Sequence, residues 1–386
     1  MLGLCLSLAL SAADAGTPAD FIADALPLYE LVTCTAVPPG LDVKTAETWC
    51  LNQKKRYASF TESWGQRASA FLTPLKPAAL PTEVVYPFGG GDLMAALQLF
   101  PEASVISTLS LELAGDPRRW KSLTAPQQLQ KSLAAISNAS ASTLMSNDSL
   151  SKNLSATQQG ELPGQLSMHL MGLALAGQVP VSVRYFRVEP DGALHYLTAD
   201  DIAAVEGTMA KNLKASWKAP DFSPAFANVE VQFVPKGAPA NAPRRVHRHF
   251  AANLANDSLP PGLMKHLESK GKVTAMTKAA SYLLWRDAFS TVRDYLLANA
   301  VFMVSDSTGV PPMHWLKQGC TVETYGAFEK SFLGTWEGYQ ADFRKAFASA
   351  KKLPMRFGYP DGSEKKLNHL MLVKCAVTSA ADPARP

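Results

Sequence analysis

The pattern of apolar and polar positions is clearest between Glu83 and Gly115, where it predicts a strand, a turn, a helix and a second strand. Residues Val84–Phe88 form a short apolar run rich in β-forming side chains. The run ends at Gly89–Gly91, where the absence of Cβ atoms permits a sharp turn. The run Ser104–Leu111 returns as the second strand. We expect the rest of the chain to be built around this unit.

The helix between these two strands has recognisable ends. Asp92 occupies the position of an N-cap, and Pro101 ends the helix. The apolar residues between them recur at the spacing of a buried helical face: Leu93, Ala96, Leu97 and Phe100. A strand, a crossover helix and a strand in this order favour parallel pairing. Ligands bind such sheets at the carboxyl ends of the strands, which here are Gly89–Asp92 and Glu112.

The flanking sequence continues the alternation of helices and strands. Residues Thr17–Pro81 are helical in pattern and then proline-rich. Further helices are predicted at Gln127–Gln158 (as two helices), Leu162–Ala176, Met276–Trp285, Phe289–Asn299 and Tyr339–Ala350. Further strands are predicted at Val179–Glu189, Ala193–Thr198, Val229–Val234, Val246–Phe250, Val301–Val304, Thr321–Tyr325 and Leu367–Cys375. This order predicts an α/β fold with a mixed, partly parallel sheet, flanking helices and a Rossmann-like strand-turn-helix-strand unit at its centre.

Composition and charge limit the class of protein. With 386 residues, of which 47% are hydrophobic and 18% charged, the chain can bury a sizeable core. Its net charge of +4, without a dense basic run, gives no indication of a nucleic-acid partner. We expect Pro243–Arg245 and Arg248, the nearest approach to a basic patch, to be a solvated strand edge. The predicted divisions are a signal peptide (1–15), an N-terminal helical segment (16–80), an α/β domain (81–378) and a disordered tail (379–386).

The N-terminus predicts export. Leu2–Leu10 is a short apolar segment, and Ala13–Ala15 resembles a signal-peptidase site. The usual basic residues before the apolar segment are missing, which a misplaced start codon explains; an apolar terminus with no targeting role is the alternative. No other run of 18 or more apolar residues occurs in the sequence. We therefore expect no transmembrane segment and a periplasmic or extracellular location.

The cysteines agree with export. Cys5 lies in the predicted signal peptide, and four cysteines remain. An even number in an exported chain favours disulfides, whereas no pair has the close spacing of a zinc knuckle. Four cysteines allow three pairings, of which the sequence-local one joins Cys34 to Cys50 and Cys320 to Cys375.

The glycine turn matches a nucleotide-binding turn in part. Gly89 and Gly91 fit the first two glycines of G-x-G-x-x-G, but Met94 stands at the third. Glu112 stands at the position where, in dinucleotide and S-adenosylmethionine sites, an acidic residue binds the ribose hydroxyls. A carboxylate at the N-cap, Asp92, occupies helix N–H groups and repels phosphate, so a methyltransferase-like site fits better than NAD. Predicted export argues against both cofactors, and a structural turn is the alternative.

Two further places carry candidate chemistry. His247 and His249 lie two residues apart in a predicted strand, so they share one face and form a candidate metal pair, with Asp257 as a nearby carboxylate. A polar strand face is the alternative. Asp306 lies in the loop after a predicted central strand and is the candidate catalytic acid. The stretch Asp306–Gly309 only partly resembles the D-[ST]-G of aspartic proteases, because it contains one extra residue.

Several blocks of the chain resemble a known family. The blocks are Tyr86–Asp92, Leu99–Pro101, Leu111–Glu112, Ala280–Leu283, Phe289–Arg293, Gly309–Pro311, Tyr325–Gly326 and Phe357–Tyr359. In this order, over roughly residues 80 to 375, they resemble an uncharacterised family of exported bacterial proteins whose turn usually reads Tyr-Pro-Phe-Ser-Gly-Pro-Asp. This chain departs from that pattern at Gly89, at Gly91 and at Ser307, where the family has a second acid. The resemblance implies an exported protein and no particular activity.

Two functional hypotheses follow. The first is an exported protein that binds a ligand or envelope component in a crevice at the strand carboxyl ends. Its candidate ligand residues are Tyr86, Gly89, Gly90, Gly91, Asp92, Glu112 and Tyr325, with Asp306 beside them. The second is an enzyme, either methyltransferase-like or a metal-assisted hydrolase that uses His247 and His249. No sequence motif specifies a cofactor or an oligomeric state.

Overall fold

The computed structural model describes residues 16–37, 40–123, 128–145, 161–209, 222–278, 280–306, 310–328, 337–357 and 368–376. The strands are β1 (Glu83–Pro87), β2 (Val105–Ser110), β3 (Gln178–Val188), β4 (Leu194–Tyr196), β5 (Asn228–Pro235), β6 (Arg245–Ala251), β7 (Val273–Thr277), β8 (Ala300–Ser305), β9 (Thr321–Gly326) and β10 (His369–Lys374). The α-helices are α1 (Ile22–Thr33), α2 (Val43–Phe60), α3 (Gln66–Leu72), α4 (Leu93–Leu99), α5 (Leu129–Met145), α6 (Leu166–Leu175), α7 (Ala199–Met209), α8 (Pro261–Glu268), α9 (Ser290–Asn299), α10 (Pro312–Lys317) and α11 (Glu337–Phe347).

The strands of these ranges form one mixed sheet in the order β4-β3-β5-β6-β2-β1-β7-β8-β10-β9. The five central strands, from β6 to β8, run parallel to one another. The strands outside them pair antiparallel, and they include the predicted β3–β4 hairpin and the predicted β5–β6 pair. The predicted α/β fold with a mixed, partly parallel sheet is therefore confirmed.

The predicted central unit is present. Strand β1, the glycine turn, α4 and β2 follow one another, and β1 pairs parallel with β2 so that Tyr86 lies opposite Thr108. The wider likeness to a Rossmann fold stays a prediction. Two further predicted strands, β8 and β9, also form at the expected positions.

Both faces of the sheet are buried. Residues on one face of the strands pack against α1, α4 and α6, and we call this side the first face. Val84 and Tyr86 point to the first face. Val85, between them, points to the second face, where the core is completed by α8, α9 and α10. Burial on both sides explains why the central strands carry continuous apolar runs instead of an alternating pattern.

One central strand was predicted wrongly. The segment Met276–Trp285 was expected to be a helix, whereas Val273–Thr277 forms β7 and Ala280–Trp285 forms a 3-10 helix. All five residues of β7 are buried, and the strand lies between β1 and β8. Contact with two parallel neighbours outweighs the local pattern, which contained no alternation to mark a strand.

The prediction for the basic segment before Phe250 was wrong in part. Pro243 and Arg244 are exposed, but Arg245 and Arg248 belong to β6, which lies between β5 and β2 and is not an edge strand. Arg248 pairs with Glu230 on β5, and Arg245 donates to the carbonyl oxygen of Ala103. Arg245 and Arg248 are therefore part of the sheet's internal hydrogen bonding.

Two disulfides hold peripheral elements together, with the predicted pairing. Cys34 follows α1 and bonds to Cys50 in α2, and Cys320 before β9 bonds to Cys375 after β10. The N-terminal segment supplies α1 to α3 and packs into the core of the first face. Within the described ranges, no helix is both long and apolar enough to cross a membrane.

Other predictions lie wholly or partly outside the described residues. Helix α5 accounts for the first part of the predicted helical region Gln127–Gln158, and residues 146–160 fall in a gap. The predicted signal peptide (1–15), the predicted tail (379–386) and Ser307 lie outside the described ranges as well.

Candidate functional site

The carboxyl ends of the parallel strands bring together several of the predicted site residues. Tyr86 on β1 lies opposite Thr108 on β2, which lies opposite His249 on β6, so the three share one row on the first face. The glycine turn follows β1, and Glu112 follows β2 at the same edge. Tyr86, the turn, Asp92 and Glu112 therefore lie at one edge of two adjacent strands.

The turn after β1 has a strained backbone. Phe88 has a φ of 60°, a left-handed conformation that is uncommon for a bulky residue, and Gly90 has a φ of 47°. A Cβ at Gly89 would lie 2.7 Å from the ring of Tyr86, so this position accepts only glycine without movement of the tyrosine. Residues held in such conformations cluster at functional sites. The backbone strain and the sequence pattern therefore both indicate the turn after β1 as the candidate site.

Asp92 does not cap α4 as predicted. It is the N-cap residue, but its side chain makes no capping hydrogen bond. Its Oδ2 atom instead accepts from the Tyr86 hydroxyl at 2.9 Å and from the Lys278 ammonium at 3.0 Å. The ammonium adds the attraction of opposite charges to its hydrogen bond, which a backbone N–H group does not provide. The expectation that the Asp92 carboxylate occupies N–H groups at the start of α4 is accordingly wrong.

Lys278 was not identified from the sequence. It follows β7 directly, and only 8% of its side chain is exposed, against 23% for Asp92. Its ammonium also lies 5.9 Å from the ring centre of Trp64, which belongs to the π-helical turn Thr61–Gly65. A predicted strand at Val273–Thr277 would have placed this lysine at the carboxyl edge.

Asp306 lies at the same edge, and Tyr325 lies further away. Asp306 is fully buried, and its backbone N–H donates to the carbonyl oxygen of Thr277 at 3.1 Å. It directly follows Ser305, which pairs with Thr277, so Asp306 is level with Lys278. Tyr325 is two strands beyond β8, and its hydroxyl donates to Glu323. Tyr325 therefore lies four strands away from β1, and its hydroxyl is not directed to Asp92.

The two candidate metal-binding histidines belong to a buried cluster of three. His247 and His249 are fully buried on the first face, and His169 from α6 packs against them with ring centres 4.3 and 5.1 Å away. Thr108 Oγ1 lies 3.0 Å from His247 Nε2 and 3.1 Å from His249 Nδ1. His169 was hidden from sequence analysis, because it lies 78 residues from His247 in an apolar helix.

The hydrogen bonds of this cluster determine the tautomers. His249 Nε2 must donate to the carbonyl oxygen of Glu112 at 2.7 Å, so its Nδ1 accepts from Thr108. The threonine oxygen then accepts from Nε2 of His247. His169 Nε2 donates to the carbonyl oxygen of Gly90 at 3.1 Å. These hydrogen bonds link β2, β6, α6 and the glycine turn.

Burial keeps these histidines uncharged. It lowers the pKa of His249 to about 4, and the hydrogen bond to Glu112 only partly offsets this. Burial, and then the neighbouring histidines, lower the pKa values of His169 and His247 well below the usual value. Asp257 is exposed, and its carboxylate contacts Ser258. The described part of the chain contains no group of three or more His, Cys, Asp or Glu side chains that could hold a metal ion.

Glu112 occupies the predicted position at the end of β2 but is itself buried. Only 4% of the residue is exposed, and burial raises the pKa of its carboxyl group. Above the turn, a Cβ at Gly91 would lie 2.6 Å from both Gln165 Oε1 and Met168 Sδ. Side chains at the start of α6 therefore fill the space over Gly91 that a nucleotide would approach in a G-x-G turn. The methyltransferase-like and hydrolase alternatives stay predictions.

Comparison of the chain with models of known protein families, with curated proteins and with solved structures finds no match. The resemblance to an exported bacterial family therefore stays a prediction. The class that the fold defines is an α/β protein with a polar cluster at the carboxyl edge of its parallel strands. Chemically, this cluster offers a carboxylate that accepts hydrogen bonds from an ammonium and from a phenol.

Proposed function

We propose that the protein is exported and that it binds a small polar ligand, free or as part of an envelope component, at the carboxyl edge of β1 and β7. The half-buried ion pair between Asp92 and Lys278 carries this proposal. It lies where ligands bind in open α/β sheets, directly after the strained backbone of Phe88. Export is supported by the N-terminal pattern and by the two disulfides, which persist in oxidising compartments.

The ion pair is more useful for binding than for stability. Burying two charges costs free energy, and an apolar pair of similar size is often no less stable. Asp92 retains 23% side-chain exposure, so its carboxylate reaches solvent while the lysine behind it is covered. The pair therefore offers a ligand a charged hydrogen-bond acceptor, whose position the covered lysine fixes.

The chemistry of the pair favours a ligand with hydroxyl or amino groups. Asp92 accepts hydrogen bonds, and the Tyr86 hydroxyl beside it can donate or accept. Trp64, whose indole lies near Lys278, adds an aromatic surface of the kind that stacks on sugar rings. Amino sugars and short peptides carry the required donors, and both occur in bacterial envelopes.

The test is thermal unfolding of the mature protein with neutral sugars, amino sugars and dipeptides as probes. We expect at least one probe to raise the melting temperature and the shift to disappear in Asp92→Asn and Lys278→Met. The matched control is Lys272→Met, which removes the same charge at the opposite end of β7, where the lysine contacts the carbonyl oxygen of Ala298. A shift that survives in both site variants, or no shift with any probe, contradicts the proposal.

A further inference from the structure

We propose that a cavity over the second face of the sheet binds a small organic anion, namely a carboxylate attached to an aromatic ring. The cavity has a volume of about 460 Å³ and is lined by Trp285, Arg286, Asp287, Arg293 and His314. Its walls come from the segment after β7, the first turn of α9 and α10. Leu284, Val292 and Trp315 beneath it belong to the core of the second face. The site is thus separate from Asp92 and does not depend on the proposed function.

Arg293 is held in a fixed orientation. Its Nη1 atom donates to the carbonyl oxygens of Leu284 and Trp285, both at 3.1 Å. Its Nη2 atom lies 3.8 Å from Asp287, a residue whose side chain is fully exposed. Only 13% of the arginine side chain is exposed. A guanidinium that is already positioned loses little conformational freedom on binding an anion.

The charge of the lining favours an anion. Two arginines face one aspartate, and that aspartate is at the solvent-exposed rim. Of the surrounding groups, Lys317 adds positive charge, while Asp294 and Asp342 oppose it from outside the lining. Burial, Arg293 and Lys317 lower the pKa of His314, so the imidazole in the cavity wall is a neutral hydrogen-bonding group. Since Nη1 of Arg293 donates to backbone carbonyl oxygens, its Nη2 atom is the group that can donate to a ligand carboxylate.

The indole of Trp285 favours a ligand with an aromatic ring. It lines the same cavity as the two arginines. Aromatic side chains provide a large apolar contact surface and stack on flat groups. A cavity of this size accommodates a single aromatic ring with its carboxylate, since ligand pockets start at roughly 300 Å³. The combination selects an aromatic acid over inorganic phosphate.

The test is ¹⁹F NMR titration of the full chain with 4-fluorobenzoate, using 4-fluorobenzamide as the neutral probe of the same shape. We expect line broadening and a shift with the acid and none with the amide. Arg286→Gln, a change at an exposed residue, should weaken binding about tenfold. Asp287→Asn should strengthen it about threefold, because it removes the only negative charge of the lining.

Lys317→Gln is the matched control. Lys317 is exposed and near His314 but does not line the cavity, so its loss should change the affinity by less than about twofold. Inorganic phosphate should displace the acid only weakly. Equal binding of the acid and the amide, or equal affinities in the Arg286 and Asp287 variants, overturns the proposal. Since the Asp287 change predicts a gain, a variant that merely unfolds cannot imitate it.

Discussion

His169 Nε2 lies 3.1 Å from the carbonyl oxygen of Gly90, which ties α6 to the turn after β1. The donor is fully buried, and Gly90 has a φ of 47°. The contact therefore supports the backbone of the turn from above while His247 and His249 pack against the other side of the ring. The shape of the proposed site depends on a residue that does not face the ligand.

Replacing His169 by leucine should destabilise the protein. The variant keeps an apolar filling but leaves the Gly90 carbonyl oxygen without its donor, which costs about 1–3 kcal/mol for a buried group. Urea unfolding measures this loss. His195→Leu is the control, because His195 is half-exposed and pairs with Asp201, so its replacement should cost less than about 1 kcal/mol. Equal losses in the two variants would show that the turn does not need its donor.

Stability should fall as the pH is lowered from 7 to 5. Burial lowers the pKa values of His249 and His369 to about 4, whereas the pKa of a histidine in the unfolded chain is about 6.5. The unfolded state therefore binds more protons below about pH 6.5, and the stability present above this pH is lost as the pH falls toward 4. Between pH 6.5 and 5 each residue accounts for about 2 kcal/mol.

Denaturant unfolding at several pH values checks this prediction. Glu112 acts in the opposite sense, because burial raises its pKa and its protonation at low pH relieves a buried charge. Glu112→Gln should therefore steepen the loss of stability on acidification. His249→Gln should reduce the loss by about 2 kcal/mol, and a stability that does not vary between pH 7 and 5 would contradict the assignment of neutral, buried histidines.

Glu230 should be one of the most sensitive positions in the sheet. It is 1% exposed and accepts from Arg184 at 2.5 Å, from Arg248 at 2.9 Å and from the Tyr196 hydroxyl. Glu230→Ala leaves two partly buried arginines without their carboxylate, and we expect a loss of about 3–5 kcal/mol in unfolding free energy.

The control for Glu230 is a surface carboxylate at the end of the neighbouring strand β3. Glu189→Ala removes the partner of Arg187, whose side chain is 52% exposed, and should cost less than about 1 kcal/mol. Calorimetry or urea unfolding separates the two expectations clearly. If both variants lose the same small amount, Glu230 does not act as a buried ion-pair partner.

The two disulfides should contribute unequally. The Cys320–Cys375 bond spans 55 residues and the Cys34–Cys50 bond spans 16. By loop entropy, their removal by paired Cys→Ser changes should cost about 4 and about 3 kcal/mol respectively. Unfolding of each double variant, without reductant, measures the difference. A larger loss from the shorter loop would show that native packing around the bond, and not chain entropy, dominates.

The sequence predicted the elements whose signals are local. The glycine turn, α4 and the pairing of β1 with β2 follow from Gly89–Gly91, from the apolar spacing of Leu93–Phe100 and from Pro101, which act on their own neighbours in the chain. Cysteine spacing likewise predicted the pairing of both disulfides. The fold class could therefore be predicted without knowing the order of the strands.

What the sequence missed depends on residues that are distant in the chain. Strand β7 contains no alternation because both of its faces are buried, and Lys278 was missed with it. The carboxylate of Asp92 was assigned to the helix end by a local rule, whereas Tyr86 and Lys278 bind it in the fold. His169 lies in an apolar helix, where nothing in its neighbours indicates two histidines on a facing strand.

The position of β7 also has a consequence for folding. Thr274 contacts the carbonyl oxygen of Pro81 across 193 residues of chain, so β1 remains an unpaired edge until most of the polypeptide has been made. An apolar strand with an open edge is prone to pair with another chain. The early part of this protein must therefore be guarded against self-association, and a carrier that binds nascent β1 would have to release it only after β7 has appeared.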